Sequence, residues 1–333
     1  MPLTDSPFRA AWWLPGGHAQ TIQPVLLRRR VGLEVRTERL ELTDGDFLDL
    51  AWGPAPRRPL RTANGTTPLV LVSHGLEGSI RSGYVRGLLR ALADRGLRGV
   101  LLHSRGCSGE PNRLPRGYHA CETGDLAEVI ERLANREPAT PLAAVGYSLG
   151  GSALLHHLAE AAGETPLKMA VAVSVPYRLE AADARLNHGL SRLYQAWLMR
   201  QLRRSLARKS ARMALPVEIP PRRRLNRFRA FDDAVTAPLH GFRDAADYYA
   251  RCSSRPVLAA ITTPTHLIHA QDDPFMSPDC VPGADELSPH VALELSRHGG
   301  HVGFVEGRTP FAPGYYLERR IPDLLVEAFT DCG

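Results

Sequence analysis

Lysine is nearly absent from this chain. Of 41 basic residues only Lys168 and Lys209 are lysines, and the rest are arginines. The formal charge of +6 and pI near 9.3 therefore reflect an arginine bias, and with no recognition motif beside it a nucleic-acid partner is not expected. Cysteine is scarce as well. Cys107, Cys121, Cys252, Cys280 and Cys332 are odd in number, widely spaced and without a C-x-x-C pair, which argues against a zinc site or disulfide framework and predicts reduced thiols in a cytoplasmic protein. No segment reaches the ~18 uninterrupted apolar residues of a membrane span. Met1-Pro2-Leu3-Thr4-Asp5-Ser6-Pro7 has no basic region leading into an apolar core, so no signal peptide is expected. Internal repeats and low-complexity tracts are missing too.

What is present is enough apolar residue, 44% of 333, to bury a large core. Buried strands are read at 68–75, 99–103, 142–146, 169–175, 265–270 and 291–295, each a short apolar run ending in glycine, serine or a polar loop. Helical periodicity lies between them, at Tyr84, Leu88, Leu89 and Leu92, and again over 125–134. A hairpin is expected from 34–42 and 47–52, and a terminal helix from about Pro322 to Phe329. Alternating strands and helices imply a mostly parallel central sheet with helices on both faces, and ligands gather at the carboxyl ends of such strands.

The alternation breaks at 178–242, an arginine-studded helical stretch read as a cap over the pocket, with its charge taken as a solvated face in preference to a membrane-docking surface. The expected organisation is a first core part over 1–177 with an N-terminal arm at 1–31, the cap at 178–242, and a second core part over 243–333. Trp12 and Trp13 are expected to anchor the arm by burial.

The chemistry centres on Gly146-Tyr147-Ser148-Leu149-Gly150, a G-x-S-x-G pattern between a strand and a helix. Gly146 and Gly150 permit a turn in which a Cβ would clash, and Ser148 is presented at the strand tip. Alone the pattern is weak. Serine-based acyl transfer also needs a base, an acid that fixes the base's tautomer, and oxyanion donors. Asp272 or Asp273, then His301 between Gly299-Gly300 and Val302-Gly303, preferred to His298, follow in the chain order of the α/β-hydrolase fold. Asp273 is preferred as the acid because Pro274-Phe275 follows it, and Asp272 would orient the loop. The expected oxyanion donors are the N–H groups of Leu149 and Leu76, with His74, Gly75 and Gly78 shaping the second loop. No metal cluster or phosphate cradle competes, so neither metal nor cofactor is expected.

These segments resemble the YheT-like (embryogenesis-associated) α/β-hydrolases, bacterial relatives of the animal ABHD hydrolases. The resemblance is carried by Gly17-His18-Ala19-Gln20-Thr21, His74-Gly75-Leu76-Glu77-Gly78-Ser79, Ser104-Arg105-Gly106-Cys107-Ser108-Gly109, the Ser148 elbow, Phe231-Asp232-Asp233 with Leu239-His240-Gly241-Phe242, Asp247-Tyr248-Tyr249 and Ala270-x-Asp272-Asp273-Pro274-Phe275. It implies a serine hydrolase of carboxylic esters, short-chain or acylglycerol-type. Ala120-Cys121 stands where the family usually has Ser-Gly. The eukaryotic relatives carry an N-terminal membrane anchor that this sequence does not show, so peripheral lipid contact is the most that is expected of a membrane. A non-catalytic binding protein and an acyltransferase with an acceptor other than water are the alternatives.

Overall fold

A computed structural model describes residues 3–28 and 31–330; Arg29 and Arg30 of the Arg28-Arg29-Arg30 run, and Cys332, lie outside the described residues. Nine strands form one sheet: β1 (Leu3–Asp5), β2 (Arg36–Glu41), β3 (Phe47–Trp52), β4 (Leu69–Ser73), β5 (Arg98–Leu102), β6 (Leu142–Tyr147), β7 (Leu167–Val173), β8 (Thr265–Ala270) and β9 (Val291–Ser296). Their order is β1-β9-β8-β7-β6-β4-β5-β3-β2. Within this sheet, among the described residues, only the pairings of β3, with β2 and with β5, are antiparallel. β4, the fully buried run Leu69-Val70-Leu71-Val72-Ser73, shows why these strands read as unbroken apolar stretches. Leu69 and Leu71 face one apolar layer, and Val70 and Val72 the other.

Helices cover both faces. α1 (Gly16–Leu26) precedes the hairpin, α2 (Gly83–Asp94) follows β4, α3 (Gly124–Arg136) follows β5, and α4 (Leu149–Glu160) follows β6. Between β7 and β8 come α5 (Leu179–Leu186), α6 (Ser191–Ser210), α7 (Phe228–Phe231), a π-turn at Asp232–Thr236, α8 (Ala237–Leu239) and α9 (Ala245–Cys252). A short β10–β11 pair (Val305–Glu306, Gly314–Tyr315) and α10 (Tyr316–Thr330) close the chain. Leucines of α2 and α10 fill one face of the sheet, while those of α3 and α4 fill the other. The expected mostly parallel α/β architecture is therefore what the chain adopts.

Three expectations need correction. Cys121 and Cys252 are joined in a disulfide across 131 positions, so these two are not reduced thiols. Trp12 is 78% exposed; the tryptophans hold the arm by indole N–H bonds to the Arg308 and Gly307 carbonyls, at 2.9 and 3.1 Å, rather than by burial. The buried anchor is Phe8, tilted against Phe304 and Tyr316. Finally, α10 begins at Tyr316, six residues before Pro322, which lies inside it. Proline at N1 is only a tendency, and here the buried Tyr316, Leu317 and Ile321 set the start.

The loop after β5 is fixed by a buried cation. The Arg105 guanidinium donates to Asp125 at 2.8 Å, Asp46 at 2.8 Å and Asp44 at 2.7 Å. Asp46 has no exposed surface. Removing one partner of such a network strands the others in low dielectric, so Arg105→Ala is expected to cost ~3–5 kcal/mol of stability. Chemical denaturation checks this: a midpoint unchanged from wild type would show that the network contributes little.

Candidate active site

The strand β6 ends at Tyr147, α4 begins at Leu149, and Ser148 between them is held at φ 49°, ψ −118°. Non-glycine residues rarely adopt positive φ, and a sharp strand-to-helix turn of this kind pushes the hydroxyl off the end of the sheet. The flanking glycines are required sterically. A Cβ on Gly146 would lie 2.5 Å from Gly151 Cα, and one on Gly150 would lie 2.4 Å from the His74 carbonyl oxygen. The turn is pinned from below by the Ser148 N–H, which donates to Val173 O at 2.8 Å.

His301 arrives on the loop after β9 and Asp273 on the loop after β8. His301 Nε2 lies 3.1 Å from Ser148 Oγ, and its Nδ1 lies 2.8 Å from Asp273 Oδ2. With Asp273 able only to accept, the proton sits on Nδ1 and Nε2 is free to accept from the serine. Asp273 is buried, and its other oxygen accepts from the Phe275 N–H at 2.8 Å. The Phe275 ring stacks on the imidazole, 4.0 Å between centroids. Asp272 faces elsewhere: it accepts from the Gly300 N–H at 2.9 Å and from His298 at 3.2 Å, clamping the loop that carries His301. The two adjacent carboxylates are thus separated by direction, which their order in the chain does not encode.

The loop holding Leu76 lies against Ser148, since a Cβ on Gly75 would meet Ser148 Cβ at 3.2 Å. Among the described residues neither Leu76 N–H nor Leu149 N–H has a hydrogen-bond acceptor. For Leu149 this follows from its place at the first turn of a helix. Three side chains brace the loop. The Gly75 N–H donates to Tyr84 Oη at 3.0 Å, and the Glu77 N–H donates to Tyr118 Oη at 2.7 Å. His74 accepts from the Ser104 N–H through Nε2 at 3.1 Å and donates through Nδ1 to Gly75 O at 2.7 Å. Burial lowers its pKa to about 4, which keeps the ring neutral and the Nε2 lone pair available. From the other side Ser205 of α6 donates to the Glu77 carboxylate at 2.5 Å, whose pKa burial raises.

Reasoning from sequence alone misses the part that α1 plays. Thr21 Oγ accepts from the His301 N–H at 2.9 Å and donates to Gly17 O at 2.7 Å, while Gln20 both donates to and accepts from Val305. Gly17 packs so closely on Asp272 that a Cβ would lie 1.8 Å from its carbonyl oxygen. The Gly17-His18-Ala19-Gln20-Thr21 motif is therefore a buttress for the histidine and acid loops, and its inclusion among the family motifs was the available signal. The fold also gathers residues that no spacing suggested: His119 with Cys121 and Cys252, and His119 with Glu122 and His240. With both sulfurs joined to one another, the first trio offers no thiolate ligand.

A serine on a strained strand-to-helix turn, with acid and histidine on the loops after the last two parallel strands, is the layout of the α/β-hydrolase fold. The family model described as alpha/beta hydrolase fold matches residues 68–308. The chain is 46% identical to Escherichia coli YheT, a protein provisionally named an esterase, over 93% of this chain and 90% of that one. It is 28% identical to human phospholipase ABHD3 over 100% of this chain and 81% of the relative. The Pyrococcus furiosus esterase Pf2001 superposes with a TM-score of 0.55 at 17% identity, covering 90% of this chain and 98% of that one, a likeness of fold. The chain belongs to the YheT-like α/β-hydrolases. No described helix is long and apolar enough to cross a membrane.

Proposed function

We propose that this protein hydrolyses carboxylic esters, of short-chain or acylglycerol type, through an acyl-enzyme on Ser148. The observation that carries the proposal is the line Ser148–His301–Asp273, with contacts of 3.1 and 2.8 Å. As Ser148 Oγ attacks the acyl carbonyl, its proton passes to His301 Nε2, and the buried Asp273 stabilises the imidazolium that results. The oxyanion is held by the N–H groups of Leu149 and Leu76. His301 then protonates the departing alcohol. Water, deprotonated by the same nitrogen, cleaves the acyl-enzyme and releases the carboxylic acid.

We read the 178–242 segment as a cap over the site. Its supports reach the catalytic loops directly. Ser191 Oγ donates to Pro274 O at 2.6 Å, next to Asp273, and Tyr194 stacks on Phe275 at 5.0 Å between centroids. Esterase and phospholipase names among the relatives agree with ester substrates. A series of p-nitrophenyl esters of increasing acyl length tests the reading. Turnover with an optimum at one chain length is expected, and no turnover anywhere in the series would overturn it.

A further inference from the structure

At the mouth of the site, α1 and the first two turns of α6 place polar residues inward and apolar ones outward, although Leu198, Met199 and Leu206 further along α6 are buried. In α1 the buried residues are Gly17, Gln20, Thr21 and Gln23, while Ile22, Val25 and Leu26 face solvent. In α6 the inward positions of the first two turns are Ser191 and Gln195, while Leu193 and Trp197 point outward. Leu190, Leu193, Trp197, Val25 and Leu26 are 53–72% exposed. Several of the inward polar groups are held by hydrogen bonds. Gln195 donates to Leu186 O at 2.9 Å and accepts from the Phe228 N–H at 3.1 Å, and Gln20 and Ser191 are bonded as described above. A water-facing helix ordinarily places these residue types the other way round, so the outward apolar rows call for an occupant.

The two rows meet. His18 of α1 bonds Tyr194 of α6 at 3.0 Å, with the rings stacked. At helical spacing Ile22 and Val25 continue the row of His18, while Leu190 and Trp197 continue that of Tyr194. Tyr194 stacks on Phe275 and Phe275 on His301, so the patch starts at the entrance to the serine.

Its surroundings are basic. Along α6 the outward row runs Leu193, Trp197, Arg200, Arg204, apolar near the mouth and cationic beyond it. Residues 178–227 contain thirteen basic and three acidic residues, an excess of ten against six for the whole chain. Among the described residues Arg192, Arg200, Arg204 and Arg222 to Arg224 are exposed and belong to no ion pair, although many other arginines of the chain are paired.

From these observations we infer that the α1–α6 rim is a docking surface for an anionic phospholipid interface. Leu190, Leu193, Trp197, Val25 and Leu26 enter the headgroup–acyl boundary, and the unpaired arginines meet the lipid phosphates. An apolar strip bordered by cations has that chemistry; a second copy of the chain would bring the same positive charge against itself. The placement also leaves the mouth of the site facing the surface from which a lipid ester would come.

Flotation of the full chain with vesicles tests this without depending on catalysis. The wild type should float with vesicles of equal parts phosphatidylcholine and phosphatidylglycerol, less with phosphatidylcholine alone, and less in high salt. The pairs Leu193→Ser/Trp197→Ser and Val25→Ser/Leu26→Ser should each weaken partitioning roughly tenfold or more, because buried apolar area is lost. Both should keep the wild-type melting temperature and circular dichroism. A wild type that stays unbound on the anionic vesicles would overturn the inference, as would equal flotation of wild type and variants, or binding indifferent to lipid charge. A dimer in analytical ultracentrifugation that these pairs convert to monomer would reassign the patch to a second copy and overturn it equally.

Discussion

Ser148→Ala should abolish ester hydrolysis, lowering kcat by ~10⁶-fold, the scale on which a serine nucleophile matters in triad enzymes. The loss is this large because nothing nearby replaces the hydroxyl: Ser148 Oγ is the group that His301 Nε2 faces at 3.1 Å. Folding should be nearly untouched. The positive φ of Ser148 burdens alanine as it does serine, and the lost contact is one part-buried hydrogen bond, so the stability change should stay within about 1 kcal/mol. Steady-state rates on the best ester of the series, with a thermal melt of the same sample, give both readouts. A variant retaining a tenth of wild-type kcat would exclude Ser148 as the nucleophile.

The second large effect separates two neighbouring carboxylates. Asp273→Asn is expected to reduce kcat by ~10⁴-fold, because an amide NH₂ opposite Nδ1 forces the imidazole proton onto Nε2, where it can no longer accept from serine. Asp272→Asn keeps an oxygen for the Gly300 N–H and alters only loop positioning, so kcat should stay within about tenfold of wild type. The reverse order of effects would mean that the acid is Asp272 and that the Asp273–His301 contact of 2.8 Å is not the one used in turnover.

The central sheet was legible because strands buried on both faces, such as Leu69-Val70-Leu71-Val72, can hardly be written in any other residues. The site was legible for a related reason: Ser148, the Asp272-Asp273 pair and His301 each sit at the end of a readable strand. What escaped was whatever depends on partners far away in the chain. β1 has three exposed residues and exists only because Leu3 to Asp5 pair with Leu293 to Leu295. α1 was hidden by its reversed polarity and by Pro24 within it, so no apolar stripe marked it as a helix. Cys121 and Cys252 gave no local sign of pairing, since the disulfide depends on α9 packing beside the 118–124 loop. Choosing between Asp272 and Asp273 likewise needed the direction of each side chain.

That Ser148 forms a covalent acyl-enzyme is tested most directly by a fluorophosphonate probe followed by intact-mass and peptide analysis. Stoichiometric labelling of the wild type on the peptide that contains Ser148, and none of Ser148→Ala, is the expected result. A folded wild type that stays unlabelled, or one labelled at another residue, would contradict it.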